Sequence, residues 1–266
     1  MIKKQLKIRD IKKEAIILLE GKWKSVVLGL FVPFIIGILL TFVPDYETYQ
    51  DEGVFLFSFF ESVILSFFSS VISYSFLIGV INLILGGNKK ERRGGFGRIL
   101  LVAIASFSRA FFPVFILKFA YQVTNTFLLP DNVIVLYDIL FYSYIELPAY
   151  IILTQIIRII INFLFLYFNI VYIFTPYVLA ESPFIKPEFA MKMSERITLG
   201  AKWKLFILVL SFVGWMILGA FSMFVGSFFA MAYQISAICV FYRKITGNGG
   251  EKGMNEKVHV MLRKIS

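Results

Sequence analysis

Long apolar runs separated by short charged connections organise this chain from residue 25 to residue 243. The first run, about Ser25 to Val43, is long enough to cross about 30 Å of hydrocarbon at a helical rise of about 1.5 Å per residue. The second, Val54 to Leu85, exceeds what a crossing needs and must tilt, kink or project into the interface. The third runs from about Ile99 to Tyr121, with Pro113 as a kink, and the fourth from about Tyr150 to Leu179. The fifth and sixth, about Leu205 to Leu218 and Val225 to Phe241, form a hairpin with Gly219 and Gly226 near its turn. Between the third and fourth, Thr124 to Pro148 is apolar but interrupted by Asp138 and Glu146, and reads as an interfacial segment.

Two shorter stretches have the period of a helix lying along a surface. Residues 2 to 20 place Ile11, Ala15, Leu18 and Leu19 at helical spacing, with Lys3, Lys4, Lys7, Lys12 and Lys13 largely elsewhere around the turn. That pattern predicts a basic amphipathic helix on the membrane surface. Ahead of the fifth run, Pro187 and Glu188 start a second such helix and Gly200 stops it. Gly21-Lys22-Trp23-Lys24 opens the first span, and Gly200-Ala201-Lys202-Trp203-Lys204 opens the fifth. Lysine and tryptophan anchor helices at the membrane interface, so Trp23 and Trp203 read as anchors and a true repeat of two halves is the alternative.

Charge orients the spans. All of the 27 basic residues except Arg109, Lys118 and Arg158 fall in the start, in Lys89 to Arg98, in Lys186 to Lys204 or in the tail from Arg243. The intervening connections hold acids only, among them Asp45, Glu47, Asp51 and Glu52, then Asp131, Asp138 and Glu146. Basic loops stay cytoplasmic, which predicts an all-α, polytopic bundle of six transmembrane helices with both termini cytoplasmic. Residues 1–24 would be the surface helix, 25–243 the transmembrane domain and 244–266 a basic cytoplasmic tail. Making Val133 to Leu147 a seventh span would put the later basic loops outside.

Composition agrees with this reading. Hydrophobic residues make up 59% of 266 positions, Phe alone occurs 31 times, and the mean hydropathy is +0.80. A soluble core could not hide so much apolar surface. The net charge of +10 is divided into segments flanking apolar spans, which suits the anionic inner leaflet of a membrane and not nucleic acid. With one cysteine, Cys239, and one histidine, His259, the chain lacks an intramolecular disulfide and the common zinc patterns. No metal or cofactor is expected.

The stretch from Ser194 to Tyr242 resembles an uncharacterised Gram-positive membrane family, domain-of-unknown-function family 975. Gly200, Lys202 and Phe206, then Leu210-Ser211-Phe212-Val213-Gly214-Trp215, then Tyr233 and the closing Phe241-Tyr242 carry the resemblance. Ala15, Leu19, Gly21 and Trp23 fit the family's opening pattern, and Ala232 stands where such proteins often have proline. The resemblance implies a six-span helical protein and brings no activity with it.

Ionisable groups inside apolar spans are the candidates for function, because an ion in hydrocarbon costs several kcal/mol unless paired or hydrated. Glu61 lies about 10 Å below the outer end of its span and Arg109 about 16 Å above Arg98 at the helical rise, so the two could pair. Arg158 reaches a similar depth, whereas Lys118 is near enough to the interface to snorkel. One reading makes Arg109 and Arg158 a cationic site, partly compensated by Glu61, for an anionic ligand; the other makes Glu61 and Arg109 a structural pair. Ser58, Ser62, Ser66 and Ser70, with Ser69 and Ser73, put hydroxyls along one face of the second span, as helix packing or a water-lined path would require.

The familiar catalytic motifs are missing from the sequence. Gly94 to Arg98 lacks the GK[ST] of a phosphate loop, a single histidine excludes H-E-x-x-H, and Ser211 beside Gly214 is not G-x-S-x-G. The expected function is therefore non-enzymatic. It would act through membrane lipids, another membrane protein or a membrane-active peptide, in envelope maintenance or in protection against such peptides. A small-solute or lipid transporter using the intramembrane charges is the alternative.

Overall fold

The computed structural model describes residues 7–41, 52–86, 95–115, 149–182, 185–222 and 225–246, with backbone alone at 41, 52–63, 95, 149–155 and 158. Among these the chain is helical, with no strand. Six segments are long and apolar enough to cross a membrane: Trp23–Leu40, Ile64–Leu85, Phe96–Val114, Ile159–Glu181, Lys202–Phe221 and Val225–Thr246. This is the six-span helical class that the apolar pattern predicts. Lys118 and the segment Thr124 to Pro148 lie outside the described residues.

Among the described residues, ten helices build the six spans and their connections. α1 (Ile8–Leu19) precedes α2 (Trp23–Thr41), and α3 (Glu52–Leu85) pairs closely with α4 (Gly95–Val114). The fourth span is broken into α5 (Ala149–Val171) and α6 (Thr175–Glu181). α7 (Pro187–Thr198) then leads into a fifth span that is also broken, into α8 (Lys202–Leu210) and α9 (Val213–Phe221). The last span is α10 (Val225–Thr246), continuous through Ala232.

α10 is the centre of the bundle. It packs against α1, α2, α3, α8 and α9, and 61% of its span is buried against 22% for the first, fourth and fifth spans. The start of α2, the end of α3, the start of α4 and the end of α10 meet at one end of the bundle. Because Lys22, Arg98, Arg243 and Lys244 stand there, it is the basic end. A Cβ on Gly79 would come 2.5 Å from the Ile99 carbonyl oxygen, so α3 and α4 approach as closely as two backbones can.

The last carbonyls of a helix have no partner within it. At the end of α3, Lys22 Nζ donates to the carbonyls of Leu83 (3.0 Å), Ile84 (3.3 Å) and Gly86 (3.4 Å). Arg243 donates to the remaining one, on Leu85, at 2.6 Å. Two cations thus satisfy the negative end of the helix dipole.

The glycines that end α1 and α7 share one turn. Glu20 and Leu199 have φ, ψ of −53°, 126° and −58°, 123°, and Gly21 and Gly200 follow at φ 74° and 81°. Lys22 N–H then bonds the Leu19 carbonyl at 2.9 Å, and Ala201 N–H bonds that of Thr198 at 3.0 Å. These are type II turns, whose third position takes the left-handed backbone that glycine adopts without cost. The Lys-Trp echo in the sequence is therefore a repeat of local structure. Its tryptophans nevertheless differ: Trp23 packs against Phe229, while Trp203 is 78% exposed, as an interfacial anchor would be.

Each break in a span is mended by one of these short helices. At the first, the Val171 carbonyl accepts from Ser194 Oγ (2.9 Å) and Thr198 Oγ1 (3.0 Å), and Phe174 N–H donates to Ser194 Oγ at 3.1 Å. At the second, Lys12 Nζ donates to the Ser211 carbonyl at 3.3 Å and lies 4.7 Å above the Phe212 ring. The apolar face of α1 packs on protein: Ile11, Ala15 and Leu19 are buried, with α10 as the helix's main neighbour.

Candidate functional site

Away from the basic end, the helices separate around a cavity of about 510 Å³ lined by five of the six spans. α3 supplies its polar side with Ser69, Ser70, Ser73 and Tyr74. These residues share a face because positions three and four apart on a helix stack above one another. Opposite them, Phe34 of α2 and Phe228, Met231 and Ile235 of α10 make the apolar wall. The break in span four adds Tyr172 and Ile173, and α5 adds Asn169. Phe34 and Met231 are 44% and 40% exposed as well as lining the cavity, so it opens at the side of the bundle.

The hydroxyls differ in what they leave free. Ser70 and Ser73 donate to the carbonyls of Ser66 and Ser69, both at 2.9 Å, which uses their protons and leaves oxygen lone pairs. Asn169 donates to the Phe165 carbonyl at 2.8 Å. The Tyr74 hydroxyl is fully buried and has no hydrogen-bond partner among the described residues. A phenol left so in an apolar interior forfeits about 1–3 kcal/mol unless a ligand or water meets it.

Of the charged residues singled out in the sequence, Arg109 alone has a described side chain. It does not line this cavity. Its guanidinium donates to Ser106 Oγ at 2.9 Å and reaches the Leu179 carbonyl at 3.5 Å. Glu61 is on α3 and Arg158 on α5, but their side chains lie outside the description, as does Lys118 altogether. Arg98 donates to Asn82 Oδ1 at 3.1 Å, and Asn82 in turn donates to the Ala180 carbonyl at 2.7 Å. That relay ties α4 and α3 to the last turn of α6.

Among the family-like positions, four fall into two clusters and Lys202, Gly214 and Trp215 stand apart from them. Ser211 and Tyr233 meet at Lys12, whose carbonyl accepts from the Tyr233 hydroxyl at 3.2 Å, and Phe212 packs edge-on against Tyr233. Phe241 and Tyr242 stack with Phe174 at ring distances of 6.3 and 5.5 Å, and Tyr242 donates to Glu181 at 2.9 Å. Lys202 binds the Tyr167 hydroxyl at 2.7 Å, while Trp215 is 56% exposed and a Cβ on Gly214 would meet open space. These residues frame the two mended breaks and leave the cavity to others.

The profile of one family, Protein of unknown function (DUF975), matches residues 1–249. The chain belongs to this family. The match extends the DUF975 resemblance through the middle of the chain, which the motifs at the two ends left uncovered. No curated protein and no solved structure matches the chain.

The serine face is legible in the sequence, as a packing surface or a polar path. It passed over Tyr74 and Asn169. Asn169 carried a readable signal, since it is an amide within an otherwise apolar stretch. Tyr74 follows Ser73 on the same face but counts as apolar in any hydropathy pattern.

Proposed function

We propose that this is a non-enzymatic, multi-pass protein of the bacterial cytoplasmic membrane that acts by holding an amphiphilic molecule within its bundle. Both termini are cytoplasmic in this reading, supported by the confinement of basic residues to alternate connections. The observation that carries the proposal is the side-opening cavity, with hydroxyls on one wall and aromatic and aliphatic side chains on the other. Its volume is in the range of small-ligand sites. Lipid contact of this kind fits a role in envelope maintenance or in protection against membrane-active peptides.

The test is labelling of the reconstituted protein by photoactivatable lipids, comparing wild type with Met231→Trp, which fills the apolar wall. Saturable labelling that the tryptophan removes supports the proposal; labelling spread evenly over the lipid-facing surface and indifferent to the substitution refutes it. A deletion strain with unaltered sensitivity to a panel of membrane-active peptides would remove the protective role.

A second reading, passage of the amphiphile across the membrane, draws on the break in span four. Tyr172 and Ile173 line the cavity from within that break, and interrupted helices are a common way to build transport sites. Lipid scrambling or solute flux in vesicles separates carriage from holding.

A further inference from the structure

We infer that a second cavity, at the basic end, binds a zwitterionic phosphodiester headgroup, with its phosphate at Arg243 and Lys244 and its ammonium at Glu20. This cavity shares no described lining residue with the one between α3 and α10, and the inference does not depend on that site.

The cavity has a volume of about 680 Å³ and lies between α1, the Gly21 turn and the ends of α3 and α10. Each of its two main walls is one helix face, because positions three and four apart stack above one another. Glu14, Ile17 and Leu18 form the wall on α1, and Val240, Arg243 and Lys244 form the wall on α10. The α1 wall is a different face from the one that packs on α10 through Ile11, Ala15 and Leu19. Both walls set aliphatic side chains beside charged ones, and Ile17 is 63% exposed, which makes the mouth apolar. Such a lining suits a polar head that carries hydrocarbon.

The charges are not equally available. Lys22 is spent on the carbonyls of Leu83, Ile84 and Gly86. Lys244 pairs with Glu14, though an ammonium has further donors. Arg243 gives one terminal nitrogen to Leu85, and neither the rest of its guanidinium nor the Glu20 carboxylate has a partner among the described residues. A guanidinium fork matches two oxygens of a phosphate, and the neighbouring lysine adds a point charge. Glu14 and Glu20 would repel a purely anionic ligand of the same size. A head that brings its own ammonium turns Glu20 from an obstacle into a partner.

Position agrees with this. Lys22 stands where the first span begins, Gly86 where α3 ends and Lys244 in the last turn of α10, so the cavity lies at the level where the spans meet water. Phospholipid phosphates occupy that level, and basic pockets between helix ends there suit their headgroups. Phosphatidylethanolamine has both charges, as does its soluble head, glycerophosphoethanolamine.

The experiment titrates the full chain in dodecyl maltoside micelles with phosphatidylethanolamine and phosphatidylglycerol of the same acyl chains, read by native mass spectrometry. Saturable binding is expected, with phosphatidylethanolamine at least about threefold tighter, as a half-exposed ion pair can provide. Glu20→Gln should remove that preference without weakening phosphatidylglycerol, and its unchanged melting temperature would show that folding is intact, since Glu20 is exposed. Arg243→Gln, whose amide can still donate to Leu85, should weaken both lipids by about tenfold. Because Arg243 also holds the end of α3, Glu20→Gln decides the matter if that variant does not fold. Displacement of the lipid by glycerophosphoethanolamine would show that the headgroup alone suffices, and no displacement that the acyl chains are needed. Equal binding of the two lipids by wild type, or a preference that survives in Glu20→Gln, overturns the inference. So does a preference that only Met231→Trp removes, which would put the lipid in the other cavity, and so does the absence of saturable binding.

Discussion

α1 and α7 are each 12 residues long, end in the same glycine turn and lead straight into a span, yet they serve the bundle through opposite chemistry. α1 uses an apolar stripe, Ile11, Ala15 and Leu19, and reaches the fifth-span break only with the end of the Lys12 side chain. α7 buries two hydroxyls, Ser194 and Thr198, directly against the fourth-span break. The difference teaches that the turn sets where a helix ends and the next begins, while the residues on the buried face choose the partner. A flexible cation can reach a carbonyl from a distance, whereas a short hydroxyl must be packed onto it.

The comparison can be broken most severely at α7. Ser194→Ala with Thr198→Val leaves the Val171 carbonyl and the Phe174 N–H without these partners in an apolar interior, and should cost about 2 kcal/mol in unfolding from mixed micelles. A wild-type transition would mean that the break is not held by these hydroxyls. The turns come next: Gly21→Ala and Gly200→Ala each force an L-residue into positive φ and should lower stability by about 1 kcal/mol. The two losses should be equal within error, because no atom of another residue would meet either new Cβ. A clear inequality would show that the turns are not equivalent in energy.

Lys12→Met should have a smaller effect, roughly 0.5–1 kcal/mol, since it removes one hydrogen bond and one cation–ring contact but keeps the aliphatic stem. Amide exchange near Ser211 is the specific readout, and it should rise while that near Val171 does not. The smallest effect belongs to Glu14→Gln. Its partner is Lys244, the two side chains are 49% and 31% exposed, and such pairs contribute about a few tenths of a kcal/mol, diminishing with salt.

What could be read from the sequence was whatever depends on neighbours along the chain. The span count, the start of α7 at Pro187 and the stop at Gly200 follow from hydropathy, proline's fixed φ and glycine's freedom. The breaks within the fourth and fifth spans were not legible, because Tyr172 to Phe174 and Ser211-Phe212 are as apolar or as small as the helix around them. They exist because partners distant in sequence, Ser194 and Lys12, satisfy the backbone there. The cavity was half legible. The serine period announced a polar face on α3, but whether another helix fills such a face depends on Phe228 and Met231, more than 150 positions away.

The clasp at the end of α3 bears on the order of assembly. Spans enter a bilayer in the order of their synthesis, and α10 is the last of the six. Until it arrives, the Leu85 carbonyl lacks the guanidinium of Arg243 and the apolar stripe of α1 lacks its main neighbour. The spans already in place are therefore a waiting scaffold, and the final one completes their bonds. A ribosome that stalls before residue 225 would leave a membrane-inserted chain with its centre missing, the state that quality-control proteases are suited to find.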